Sequence, residues 1–374
     1  MVTKEILGRD LTSKDVILIA ATWPTPEQWM DSIIKAHPGI KVHYYNLNLE
    51  AIEVFMKGGS HVPDELFKDV TIYVTMQYLP PPEVAPKLEI CHILSAGINH
   101  IEESEIYKNT DITITTSNGV HGPQIAEWVM GHVLAQTHRF RTLDKWQKEH
   151  VWGNKLGSFA GNPVRDLVQQ KIGIFSYGSI GRQIGRVAHA LGMEVHAYTA
   201  HPKTTPESRE DHGYIVPGTG DAKGEFPTRW YSGLGRGSFH EFLKVGFDVI
   251  VLSVPLTDET LHLVGKEEFE VIKEAGTSPF FVNISRGAVV VTEDLERALR
   301  EEGVLRGAAL DVVDPEPLPK EHTLWDAPNV YISPHISGAG SNYFERCLEI
   351  VAMNLNLRAE GKRMINVVDR RRGY

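Results

Sequence analysis

Ile172-Gly-Ile-Phe-Ser176-Tyr-Gly178-Ser-Ile-Gly181-Arg-Gln-Ile-Gly185 decides how this chain folds. An apolar run ends at Ser176 and a 3.6-residue rhythm starts at once. Ile180, Ile184, Val187, Ala188 and Leu191 share one helix face. A strand that turns into a helix across Gly178 and Gly181 has the S-x-G-x-x-G form of a dinucleotide fingerprint. Gly178 lets the backbone approach a pyrophosphate, and Gly181 permits close packing of helix on strand. The Ser179 and Ile180 amides, at a helix N-terminus, would hold phosphate oxygens, with Tyr177 in the same turn. Ser176 stands where the turn-forming Gly is expected, so a slightly altered turn is predicted.

Outward from this stretch, strands are predicted at Lys171–Ser176, Glu194–Tyr198, Asp248–Ser253, Phe280–Ile284, Gly307–Val312 and Val330–Ser333. Several are continuous β-branched runs, as strands buried on both faces should be. Six such strands make one doubly wound domain, 123–335. His201 to Gly237 is rich in Gly, Pro, Ser and charge and too long for an ordinary connection; it reads as a solvated surface insertion (201–237) rather than a catalytic lid. Upstream, Val16–Ala20, Val42–Tyr45, Val70–Thr75, Ile90–Leu94 and Ile112–Thr116 read as strands between helical segments. One such helix is Pro26–Ala36, with Pro26 suited to the first helical position. Another runs from Gln124 to about Gln136. The residues after Ile336 are too few to fold alone. They are expected to return to the first domain, giving 1–122 with 336–374. The predicted class is α/β: two doubly wound parallel-sheet domains, flavodoxin-like and Rossmann, with an interdomain cleft as the default site.

The 374 residues suffice for two cores, and 42% apolar with 23% charged content is ordinary for a globular protein. A net charge of -10 argues against nucleic acid or an anionic membrane as partner. Cys91 and Cys347 are the only cysteines, so neither a disulfide framework nor a Cys metal cluster is expected. The 17 His show no metal-ligand spacing, and no metal is predicted. The N-terminus lacks a leader pattern and no run reaches membrane-spanning length, so a cytoplasmic location is expected.

The second Rossmann strand ends Ala197-Tyr-Thr199-Ala-His201-Pro-Lys203, where an acid would bind a ribose 2′-hydroxyl. Thr199, His201 and Lys203 would instead accept a 2′-phosphate. NADPH is therefore the expected cofactor, with NADH as the alternative.

Three polar residues follow later strands: Arg286 in Asn283-Ile-Ser-Arg286-Gly287, Glu316 before Pro317, and His335 after Ser333-Pro. Arg286 can clamp a carboxylate or carbonyl oxygen bidentately. His335 can exchange a proton near neutral pH, and Glu316 can orient it and favour its charged form. Ser95-Ala96-Gly97 follows a strand with small residues whose N–H groups could form an anion nest, or a plain turn.

In order, Ser95–Gly97, Ala126-Glu127, Gly178/Gly181, Val254-Pro255-Leu256-Thr257, Asn283–Gly287, Asp311–Pro317 and Pro334-His335 resemble the D-isomer-specific 2-hydroxyacid dehydrogenases. The resemblance runs from about Val16 to about Asp369. It implies a 2-keto or 2-hydroxy acid substrate, such as glyoxylate or hydroxypyruvate, and a homodimer. It implies Arg286 as substrate clamp, His335 as acid/base and Glu316 as its partner. Asp311 would meet the nicotinamide end, Val254, Pro255 and Ile284 would line the cofactor, and the Ser95–Gly97 backbone would take the substrate carboxylate. Formate dehydrogenases carry Gln where Glu316 stands, and the long phosphoglycerate dehydrogenases carry a further domain. The alternative of a different class is a nicotinamide-sensing, corepressor-like binding module. Met76–Leu79 would shape the pocket for the acid's side chain or form a plain loop. Trp146 and Trp152 would lie at a dimer contact or inside one chain.

Overall fold

The computed structural model describes residues 1–5, 14–47, 62–153 and 164–370. The chain divides into two compact units, Met1–Val120 with Ser341–Tyr374, and His121–Gly340.

The first unit runs β1 (Val2–Glu5), β2 (Val16–Ala21), α1 (Glu27–Ala36), β3 (Lys41–Asn46), β4 (Ile72–Thr75), β5 (Ile90–Ile93), α2 (Glu105–Asn109) and β6 (Thr113–Thr116). Its sheet order is β1-β3-β2-β4-β5-β6. The five strands from β2 onward are parallel in the 2-1-3-4-5 order of flavodoxin-like sheets. β1 adds an antiparallel edge beside β3. Pro26 caps α1 rather than opening it. The final helix of the chain, Tyr343–Ala359, belongs to this unit; the Trp29 indole donates to its Leu348 carbonyl at 2.9 Å.

His92 lies buried in that sheet, its ring nitrogens 2.9 Å from Thr115 Oγ1 and 3.0 Å from Ser117 Oγ. Burial pushes its pKa from 6.5 down to about 3. Between these values the unfolded chain binds a proton that the folded unit refuses. Stability is complete above pH 6.5 and falls toward pH 3, by about 1.4 kcal/mol per pH unit. Urea unfolding across that window is expected to show this slope, and His92→Gln to flatten it. An equal slope in both proteins would place the acid sensitivity elsewhere.

The second unit runs α3 (Gly122–Thr137), α4 (Phe140–Lys148), β7 (Lys171–Phe175), α5 (Ser179–Ala190), β8 (Glu194–Thr199), α6 (Pro206–Arg209), β9 (Pro227–Ser232), α7 (Arg236–Leu243), β10 (Val249–Leu252), α8 (Lys266–Ala275), β11 (Phe280–Asn283), α9 (Thr292–Arg300), β12 (Gly307–Leu310) and β13 (Val330–Ile332). The sheet order is β13-β12-β11-β10-β7-β8-β9, parallel throughout. Counted within the unit this is 3-2-1-4-5-6 with a seventh strand added. The order reverses between β7 and β10, the switch point where dinucleotides bind.

This corrects the reading of 201–237 as a solvated insertion. The stretch holds α6 and β9, the third strand of the Rossmann order, and Tyr214 and Asp221 within it are buried. Alternate residues of the inner strands feed two cores. Ile172, Ile174, Val249 and Val251 face Ile125, Val129 and Ile184 of α3 and α5. Phe175, Ile250 and Leu252 face Phe239, Phe242 and Phe269 of α7 and α8. Each fully buried side chain of this size contributes roughly 1.5–3 kcal/mol. No helix among the described residues is long and apolar enough to cross a membrane.

Candidate active site

The fingerprint turn is built by a strained serine and a crowded glycine. Ser176 adopts φ 82, the left-handed conformation that glycine adopts at no steric cost. A Cβ at Gly181 would lie 2.3 Å from the Ser176 carbonyl oxygen, so only glycine lets α5 approach β7 this closely. Ser253 Oγ donates to the Ser176 carbonyl at 2.9 Å and ties the end of β10 to the turn. The N–H groups of Gly178 and Ile180, at the start of α5, have no hydrogen-bond acceptor among the described residues. Beside Gly178 the nearest atom to an added Cβ is Ser176 Oγ at 3.9 Å. Open space and unbound donors at a helix N-terminus fit a pyrophosphate.

Tyr177 is tied into the protein on both sides of the turn. Its N–H goes to the Tyr198 carbonyl at 3.1 Å and its hydroxyl to Asp221 Oδ2 at 3.0 Å, with the ring buried. Both of its donors are committed inside the protein, and they shape the turn. At the end of β8 no acid stands. Thr199 Oγ1 donates to the His201 carbonyl at 2.8 Å; His201 is exposed and Lys203 half-buried. Val254 and Ile284 are buried at the ends of β10 and β11, and the Pro255 carbonyl accepts from Thr260 Oγ1 at 2.7 Å.

The reacting groups gather in the same unit. Beyond β11, Asn283 Oδ1 accepts from Ser285 N at 3.1 Å, and its amide donates to the Arg286 carbonyl at 3.2 Å. This side-chain turn sets the direction of Arg286. Gly287 follows because the chain between β12 and Glu316 crosses there: a Cβ would lie 1.9 Å from the Val313 carbonyl oxygen. Arg286 is half-buried, and the Ser285 carbonyl at 2.8 Å is its only hydrogen-bond acceptor among the described residues. Burial lowers its pKa, and the nearby Glu316 charge works in the opposite direction. Glu316 Oε1 stands 2.9 Å from His335 Nδ1, with both side chains close to half exposed. Arg286, Glu316 and His335 are thus brought together.

Asp311 has a job that the sequence did not reveal. One carboxylate oxygen accepts from Ser333 Oγ and from Ile336 N at 2.9 Å; the other accepts from Ser337 Oγ and from Ser337 N at 2.9 Å. Its carbonyl accepts from His335 N at 2.8 Å. Those four side-chain bonds match the lone-pair capacity of a carboxylate. The carboxylate thereby clamps the turn that carries His335. The clamp also holds His335 at φ 54, a conformation that costs a non-glycine residue of order 1 kcal/mol and persists only when its surroundings enforce it.

In the first unit, Ser95 Oγ donates to the Gly97 carbonyl at 2.7 Å, and the Ser95 carbonyl accepts from Ser117 N at 2.9 Å. The N–H groups of Ser95, Ala96 and Gly97 have no acceptor among the described residues, as an anion nest requires. His240, Glu267 and Glu268 come within metal-ligand distance of one another. Glu268 Oε1 is already bound by Arg236 at 2.7 Å and His240 at 2.8 Å, however, and reads as a buried ion pair.

A doubly wound sheet with a phosphate-ready helix N-terminus and an Arg/Glu/His cluster fits a dinucleotide-dependent oxidoreductase. Comparison gives the family. The profile of the D-isomer specific 2-hydroxyacid dehydrogenase NAD binding domain matches residues 130–217 and 231–337. A glyoxylate reductase of Thermococcus gammatolerans is 32% identical over 275 residues, 72% of this chain and 73% of that protein. A hydroxypyruvate reductase of Blautia hydrogenotrophica is 28% identical over 289 residues, 77% of this chain and 80% of that protein. A D-isomer specific 2-hydroxyacid dehydrogenase from Xanthobacter autotrophicus Py2, solved with NADPH and MES, has the same fold: TM-score 0.71, 23% identity, 96% of this chain and 99% of that one covered. The chain belongs to the D-isomer-specific 2-hydroxyacid dehydrogenase family and is an NAD(P)-dependent enzyme.

Proposed function

We propose that this enzyme interconverts a small 2-keto acid, glyoxylate or hydroxypyruvate, and the D-2-hydroxy acid, with NADPH preferred over NADH. The observation that carries the reading is Arg286: a half-buried cation with one acceptor among the described residues, beside the His335–Glu316 pair. Arg286 binds the substrate carboxylate and polarises the keto oxygen. The nicotinamide, when bound, supplies the hydride. His335 donates the proton from Nε2, since Nδ1 faces Glu316. The Ser95–Gly97 amides receive a carboxylate. Gly178, Ser179, Ile180 and Gly181 hold the pyrophosphate, and Val254, Pro255 and Ile284 line the cofactor. Thr199, His201 and Lys203 receive a 2′-phosphate, which an acid at the end of β8 would repel. The names of the glyoxylate and hydroxypyruvate reductases among the relatives support the substrate class.

Nicotinamide absorbance, followed with glyoxylate and hydroxypyruvate against NADPH and NADH in parallel, tests this. Oxidation of NADPH faster than NADH is expected. Equal or faster turnover with NADH would remove the role of Thr199, His201 and Lys203. Cofactor binding without turnover of either acid would favour the binding-module alternative. The proposal includes a homodimer, supported by the apolar side chains around α4: Phe140, Leu143 and Val151 are exposed, and Trp152 is 84% exposed. Light scattering that gave the mass of a single chain would exclude the dimer.

A further inference from the structure

The 209–226 segment is stitched to the phosphate-binding turn and to α5 by buried polar groups. Tyr177, inside the turn, donates its hydroxyl to Asp221 Oδ2 at 3.0 Å. Asp221 also accepts from Glu225 N at 2.8 Å and Phe226 N at 3.2 Å, and is 4% exposed. Arg182, on α5 and also 4% exposed, donates to the carbonyls of Asp221 and of Arg209, the latter at 2.6 Å, and pairs with Asp211 at 3.5 Å. Arg209 in turn donates to the Lys203 carbonyl at 3.1 Å. Gln183 and Arg186, also on α5, bind the N–H and carbonyl of Gly220 at 2.6 and 3.3 Å. A Cβ at Gly185 would lie 2.4 Å from the Tyr177 hydroxyl, so α5 is cut away to admit that ring.

The family profile is interrupted over 218–230, the stretch that contains Asp221. Taking a carboxylate and a guanidinium out of water is costly unless their partners are well placed. Here those partners lead to both ends of a dinucleotide site: the 176–181 turn through Tyr177, and the 199–203 loop through Arg209 and Lys203. We propose that Asp221 is a positioning residue for the cofactor: its carboxylate, through Tyr177, fixes the phosphate-binding turn against the 209–226 segment, which Arg182 and Arg209 tie to the loop after β8. The inference rests on the dinucleotide reading of that turn.

The test is titration of the intact protein with NADPH and with NADH by nicotinamide fluorescence. Wild type, Asp221→Ala and Asp221→Asn are compared well below their unfolding temperatures. Asp221→Ala is expected to raise Kd for NADPH by about tenfold or more, a ratio that corresponds to about 1.4 kcal/mol. Asp221→Asn, which keeps an acceptor for Tyr177 or the backbone amides, is expected to lie between Asp221→Ala and wild type. Amides of 176–181 should also exchange with solvent faster in Asp221→Ala. A Kd within twofold of wild type in folded Asp221→Ala would overturn the proposal, whatever happens to thermal stability. If Asp221→Ala does not fold, Asp221→Asn decides by the same criterion. Failure of the wild-type protein to bind either nucleotide would instead strike at the dinucleotide reading.

Discussion

Arg286→Ala is expected to lower kcat/KM for a small 2-keto acid by about 3–5 kcal/mol in transition-state stabilisation, roughly 10²- to 10⁴-fold. A substrate carboxylate and a developing alkoxide would both lose their cation in a largely desolvated place. The variant should still fold. The Ser285 carbonyl is the only acceptor the guanidinium meets among the described residues, so its removal strands no buried ion pair. Arg286→Lys keeps the charge but loses the planar fork, and should fall between the two. Steady-state kinetics with saturating cofactor read the effect. A loss below tenfold, with cofactor affinity intact, would remove Arg286 from the clamp role.

His335→Gln is expected to reduce kcat by about 10²- to 10⁴-fold, the usual contribution of a placed proton donor. Glu316→Gln separates orientation from charge, since the amide can still face Nδ1, now 2.9 Å from Glu316 Oε1. The carboxylate can hold the ring while the proton leaves Nε2, and the amide oxygen can hold it in the same orientation without the charge. The kcat of Glu316→Gln is therefore expected to lie between those of His335→Gln and wild type. A kcat equal to wild type would take Glu316 out of the proton step.

The inner strands were legible in the sequence because both of their faces are buried. Val249–Leu252 and Phe280–Asn283 are nearly continuous apolar runs, and no helix of that length hides in them. β9 was not legible. Pro-Thr-Arg-Trp-Tyr-Ser opens with proline, alternates weakly and lies at an edge, so it carries the composition of a loop. β1 was missed for a related reason: four residues, two of them charged, pair with β3 at the sheet edge. At the site, Arg286, Glu316 and His335 could be found because each is a chemically distinctive residue just beyond a strand. The work of Asp311 could not, since its partners are two serines and two backbone amides that leave no pattern along the chain. Arg182 was equally silent. An arginine on a helix next to a glycine turn reads as a solvated residue until the 209–226 segment folds over it.

The strand that follows that segment, β9, sets where the sheet stops. A bare strand edge is a template for the next molecule. With β9 in place the rim begins at Pro227, which has no N–H to offer, and Thr228 and Arg229 face water. Trimming 218–232 as a dispensable loop would move the rim to β8, whose Val195–Tyr198 backbone runs through the apolar core. The stretch that looks most expendable on paper thus puts a proline-led strand with two exposed polar residues at the rim, in place of one whose side chains are buried.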